Sequence, residues 1–199
     1  MTNGSILVAT TAHRSLAAPI RTAAVAFGVA LTALSAQFTL PMPFTDVPFS
    51  LVPMAVLLCG AALGSRLGAA TQALYLLLGI AGLQVFAPDP RLPAGAFRLV
   101  GPTGGYLVAY PLAAFVTGWL AERGWDRRYA TSVAALVAGL AVIYLGGLAW
   151  RLVLLRSLDV AIMTSIVPFV LPDLFKVAVA AAILPQVWRA IGRRSRSAD

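Results

Sequence analysis

"FVLPDLFKVAVAAAIL" occupies residues 169–184. Whether it crosses a membrane decides how many times the chain spans, and so whether the two ends share a side. The stretch is apolar except for Asp173 and Lys176, the only lysine in the chain. Its surroundings, residues 160–188, are apolar but interrupted by Pro168, Pro172 and the two charges. This reads as a short non-spanning piece followed by a helix starting at Pro172 or Asp173. A proline in the first turn would leave Asp173 near the helix N-terminus, where the macrodipole favours an ionised carboxylate.

The rest of the chain sets the context. Of its 199 residues, 60% are hydrophobic and 11% charged, with a mean hydropathy of +0.87. That lies outside the range of soluble domains and marks a membrane protein, with lipid as its surroundings. Uncharged stretches of spanning length run over residues 22–45, 47–65, 67–88, 99–121 and 129–150. With the segment around Asp173 they make six. The expected fold is an all-α integral membrane protein with one transmembrane domain over residues 1–199. Its spans are placed at about 20–40, 49–65, 67–87, 103–121, 130–150 and 173–189.

The net charge of +8 could suggest nucleic acid, but in a membrane chain the placement of charge matters more, and no nucleic-acid partner is expected. With both termini in the cytoplasm, Arg14, Arg21, Arg66, Arg123, Arg127, Arg128, Arg189, Arg193, Arg194 and Arg196 fall inside, and Arg91, Arg98, Arg151 and Arg156 outside. Ten against four follows the positive-inside rule and fits an even number of spans. The N-terminal segment lacks the basic-then-apolar order of a signal peptide and reads as a retained tail.

The inner connections are terse. The outer ones, "TLPMPFTDVPFS" (39–50), "VFAPDPRLPAGAFRLVGPTGG" (85–105) and "RLVLLRSLDVAIMTSIVPFVLPD" (151–173), are long, rich in proline and partly apolar. Loops of this kind tend to carry function, which places the candidate site at the outer face.

Several chemistries lack their parts. The one histidine, His13, lies in the tail, and the one cysteine, Cys59, lies in the second span, so neither histidine catalysis nor a metal site is expected, nor any cofactor. No Walker sequence occurs, and the seven acids are scattered among different loops. What remains is the i, i+3 pair Asp173 and Lys176, Arg98, and "GPTGGY" (101–106). The pair either fastens the helix end or faces a polar ligand, since ionisable residues within spans mark functional sites. The glycines either make a tight turn with close helix packing or let a ligand approach the backbone, with Arg98 as a cation for a carboxylate. In the first span Ala26 and Ala30 form a small-x-x-x-small face that suits either a partner subunit or packing within the chain.

Taken together, "PFTDVPFSLVPMAVLLCGAALGSRLGAATQALYLLLGIAGLQVFA" (43–87), "GPTGGYLVAYPLAAFVTGWLAER" (101–123) and "PDLFKVAVAAAIL" (172–184) closely resemble the BioY family. These are the biotin-specific substrate-binding (S) components of energy-coupling factor (ECF) vitamin transporters, and the resemblance covers residues 20–188. It implies an S-component-like six-helix bundle whose outer loops close over a biotin site, and a transporter subunit, not an enzyme. Uptake would be energised by a transmembrane coupling subunit (T component) and ABC-type ATPase subunits, in the cell membrane. The family's binding motifs fall on Arg98, Thr103, Gly104, Gly105, Tyr106, Asp173 and Lys176, and its partner-docking motif on Ala26 and Ala30. Two stretches depart from the family pattern: Val52 stands where members often carry glutamine, and "PDPRLPAG" (88–95) replaces a glycine-rich stretch. The competing classes are an integral-membrane enzyme using Asp173 and Lys176 as acid and base on a lipid or isoprenoid, and a stand-alone permease.

Overall fold

A computed structural model describes residues 14–196, with side-chain surroundings over residues 18–187. His13 and the N-terminal tail lie outside the described residues, as do the side chains of Arg189, Arg193, Arg194 and Arg196. In order, the chain forms α1 (Arg14–Gln37), a hairpin of β1 (Thr39–Met42) and β2 (Thr45–Ser50), α2 (Val52–Leu63) and α3 (Ser65–Ile80). There follow the short α4 (Phe97–Val100), α5 (Gly104–Glu122), a 3-10 turn (Trp125–Arg127), α6 (Tyr129–Leu155), α7 (Leu158–Ser165) and α8 (Val167–Arg196).

α5 is the centre of the bundle, with α2, α3 and α6 packed around it. Small residues set these distances. A Cβ on Gly60 of α2 would strike the backbone of Ala114 in α5, and one on Gly139 of α6 would strike Thr117. Close backbone approach through such residues is how helices associate in lipid, where apolar surface alone gives no preference for a neighbour. Leu57, Leu136, Ile143, Ala113 and Ala114 fill the buried centre, while Phe27, Leu34, Leu77, Val108, Leu145, Leu171 and Phe175 point outward. A bundle whose exterior is as apolar as its centre has the surface of a membrane protein, one suited to lipid.

By length and composition, four helical segments among the described residues can cross a membrane: Ala18–Gln37, Gly104–Glu122, Tyr129–Leu155 and Leu158–Val187. The regions expected as the second and third spans hold shorter helices of 12 and 16 residues. At about 1.5 Å per residue these reach roughly 18 and 24 Å, against a hydrocarbon core of about 30 Å. Gly64, with φ of 85°, separates them at a backbone angle that suits glycine.

Three local expectations are corrected. First, the all-α expectation misses the antiparallel hairpin, which takes the end of the first expected span and the start of the second and pairs Thr39 with Ser50, Leu40 with Phe49 and Met42 with Thr45. Pro41, Pro43 and Pro48 deny the segment helical hydrogen bonds, and a two-stranded ribbon tolerates them. Second, the last helix begins at Val167, not at Pro172 or Asp173. Pro168 occupies its first turn, where a missing N–H costs nothing, and Pro172 lies within the helix. Third, Asp173 therefore stands in the second turn, beyond the reach of the macrodipole, and its charge is met by side chains instead.

The connections sort to two ends of the bundle. At one end the hairpin meets α7 and the 81–96 loop: the Thr45 hydroxyl donates to the Thr164 carbonyl at 2.6 Å, and Arg91 reaches Asp46 at 2.6 Å. At the opposite end Glu122 accepts from the backbone N–H and hydroxyl of Ser65 at 2.7 and 3.0 Å, capping α3.

Candidate functional site

Beneath the hairpin lies a small, partly open pocket with a cavity volume of about 70 Å³. α8 supplies Phe169, Asp173 and Lys176. The start of α5 supplies Thr103, Tyr106, Leu107 and Tyr110, α3 supplies Tyr75, and the hairpin covers it with Val47, Pro48 and Ser50. Arg98, Phe86, Ala87, Val52 and Pro53 complete the wall. A mostly apolar chamber with a few convergent polar groups is the usual character of a small-molecule site.

The polar centre is the pair read from the sequence. Asp173 is 3% exposed and Lys176 7%, and the Lys176 ammonium donates to Asp173 Oδ1 at 2.6 Å. Tyr144, in the middle of α6, donates its hydroxyl to Asp173 Oδ2 at 2.7 Å. Lys176 also donates to the Ser50 carbonyl at 2.6 Å and lies 3.8 Å from the centre of the Phe49 ring. An ionised carboxylate offers about four acceptor positions. Two are taken here, so Asp173 retains capacity for N–H donors from a ligand. The Tyr106 hydroxyl is turned to the Ser165 carbonyl at 3.0 Å, tying α5 to the end of α7.

Arg98, Thr103, Tyr106, Asp173 and Lys176 are thus brought to one chamber. Gly104 and Gly105 are not in its wall. A Cβ on Gly104 would meet the Leu99 carbonyl and one on Gly105 the Gly146 backbone and Trp150, so both let α5 press against neighbouring backbone. Trp150 secures the same turn by donating its indole N–H to the Gly101 carbonyl at 2.9 Å. Ala26 and Ala30 sit apart from the pocket, on the outward face of α1, whose inward face carries Gly28, Val29, Thr32 and Ala36. Among the described residues no group of three His, Cys, Asp or Glu side chains converges as a metal site.

Above the pocket a wider vestibule is lined by the hairpin, residues 87–91, Arg98, Thr103, Arg151 and Thr164. Arg98 donates to the carbonyls of Pro93 and Asp89, each at 3.1 Å, and so holds the 81–96 loop. Partial burial acts to raise the Asp89 carboxyl. Hydrogen bonds from the Arg91 N–H and guanidinium, with the charges of Arg91 and Arg98, outweigh it and hold the group below its ordinary 3.8.

Sequence reading missed Tyr144, the Phe49 and Ser50 contacts, and the aromatic wall of Tyr75, Phe86, Tyr110 and Phe169. A tyrosine in the middle of an otherwise apolar span was the available signal for Tyr144, because a buried hydroxyl requires a partner. The Ser50 contact uses a backbone carbonyl, which no residue type announces.

The profile of the BioY family matches residues 9–193. The chain is 43% identical over 142 residues to the biotin transporter BioY of Thermotoga maritima, covering 71% of this chain and 81% of that one. It is 38% identical over 159 residues to the probable biotin transporter BioY of Pyrococcus horikoshii, covering 80% and 90%. Among solved structures, the S-component for biotin from an ECF-type ABC transporter superposes with a TM-score of 0.78 at 21% identity, over 89% of this chain and 95% of that one. At that identity the likeness is one of fold.

Proposed function

The chain belongs to the BioY family, and on that premise we propose that it is the substrate-binding component of an ECF transporter and captures biotin in the pocket beneath the hairpin. The observation that carries the reading is the buried Asp173–Lys176 pair, closed over by Ser50 in a chamber with aromatic walls. Biotin presents the complementary chemistry: a ureido ring with two N–H donors and a carbonyl, an apolar bicyclic body, and a carboxylate on a flexible chain.

In this reading Asp173 accepts from the ureido N–H groups while Lys176 pairs with its other side. Tyr75, Phe86, Tyr110 and Phe169 hold the ring system, and Thr103 and Tyr106 flank it. Arg98 holds the 81–96 loop across the mouth. Gly104 and Gly105 act from behind, setting how closely α5 approaches α6.

The protein works as a single six-helix unit in which α2 and α3 form the two short members. The hairpin end faces outside and both termini face the cytoplasm, as the distribution of arginines favours. Exposed apolar side chains meet lipid. A transmembrane coupling subunit docks against Ala26 and Ala30, whose outward placement supports that use over internal packing, and ABC-type ATPase subunits supply the energy.

The test is titration of purified protein with labelled biotin, followed by uptake into cells or vesicles with and without the coupling and ATPase subunits. Saturable binding by the isolated chain and partner-dependent uptake are expected. Failure to bind biotin would overturn the reading, and full uptake without partners would turn it into that of a stand-alone permease.

A further inference from the structure

We propose that Arg151, near the hairpin end of α6, is the cation that receives the ligand's carboxylate, so that the vestibule is the second half of the binding site. The proposal rests on the biotin reading above.

Arg151 is 3% exposed, yet its guanidinium is sparsely satisfied. One amino group donates to the Thr164 hydroxyl at 3.1 Å, and the buried Nε has no hydrogen-bond partner. The carboxylate paired with it, Asp46 Oδ2, is 3.9 Å away, too far for a hydrogen bond. Asp46 is half-exposed and already gives its other oxygen to Arg91 at 2.6 Å. A buried guanidinium with five donors and one close acceptor is a costly arrangement, which an incoming carboxylate would relieve by a bidentate pair.

The other cations around the site have their acceptors. Arg98 is engaged with the Pro93 and Asp89 carbonyls, Arg91 with Asp46 and Asp89, and Lys176 with Asp173 and Ser50. Position agrees with capacity. Arg151 lines the vestibule, and vestibule and inner pocket adjoin, with Pro48, Ala87, Arg98 and Thr103 lining both. In this proposal a ligand with its polar head at Asp173 extends its anionic tail past these shared residues toward Arg151.

The experiment compares biotin with its methyl ester, which keeps the head and removes the charge, on the full chain and its variants by calorimetric titration. Wild type should prefer biotin. R151Q should lose at least about tenfold in biotin affinity, as removal of one partner of a buried charge pair does, while its affinity for the ester stays at the wild-type value. R98Q, which loosens the loop, should weaken both ligands together. If R151Q does not yield folded protein, R151K carries the test: it keeps a charge but not the planar fork, so biotin should weaken several-fold and the ester should not. Equal weakening of both ligands by the Arg151 variants would make the residue a structural prop and overturn the proposal. Unchanged biotin affinity would overturn it too. If wild type binds both ligands equally, the carboxylate is not recognised and the Arg151 proposal fails while the biotin reading stands. If wild type binds neither, the biotin reading itself fails and takes this proposal with it.

Discussion

The Lys176 ammonium donates to the Ser50 carbonyl at 2.6 Å across 126 positions of sequence. One charge therefore neutralises Asp173 on the floor of the pocket and fastens the hairpin that covers it. Lys176→Met should undo both. Removing one partner from a buried pair costs roughly 3–5 kcal/mol of stability. Hydrogen exchange over residues 45–50 should rise, and biotin affinity should fall with it. Unchanged exchange in the hairpin would show that Thr45 and Arg91 hold the cover without Lys176.

The outer loop should respond to acid. The Asp89 carboxyl sits below its ordinary 3.8 in the folded protein, so its contribution is fully present above that value and is lost as pH falls through the depressed folded-state value. A spin label on Pro90→Cys should stay immobile from neutral pH down to about 4 and gain mobility only below it. Asp89→Asn should abolish that transition, leaving a loop of constant, higher mobility. A transition that persists unchanged in Asp89→Asn would place its cause elsewhere.

Ala26 and Ala30 face outward from α1. Replacing both with Leu should leave biotin binding within about twofold of wild type while co-purification with the coupling subunit drops, because close helix contact tolerates no added volume. Undiminished co-purification would remove this face from the partner interface.

Topology can be read from thiol labelling in a Cys59→Ser background. A cysteine at Pro90, on the hairpin end, should react from outside intact cells, and one at Arg128, on the opposite end, only after permeabilisation. The reverse pattern would invert the orientation and put the pocket on the cytoplasmic side.

What was legible in the sequence was whatever is carried by local spacing or by apolar length. The i, i+3 offset of Asp173 and Lys176 brings their charges together within one helix, and long uncharged runs announce α1, α5 and α6. Lengths near the short α2 and α3 were misjudged, because apolar loop residues extend an uncharged run past the end of its helix. The hairpin was hidden for the same reason, since prolines in "TLPMPFTDVPFS" (39–50) signal a break without saying what replaces the helix. The contacts that complete the site join distant elements. Tyr144 meets Asp173 from another helix, and Ser50 contributes a carbonyl. Arg151 was counted as one of four outer charges, and its burial depends on the packing of α6 against α7 and the hairpin, which no single segment encodes.

The central claim is that Asp173 is there to accept hydrogen bonds from a ligand, and Asp173→Asn tests it most directly by calorimetric titration of biotin beside a ligand-free thermal melt. The asparagine keeps the shape, loses the charge, and can turn a donor toward a ureido N–H. The account predicts a loss of roughly 2–5 kcal/mol in binding, well over tenfold in Kd, measured in protein that still folds. A lowered melt with biotin affinity at the wild-type value would contradict it, showing that Asp173 serves only to partner Lys176 and Tyr144.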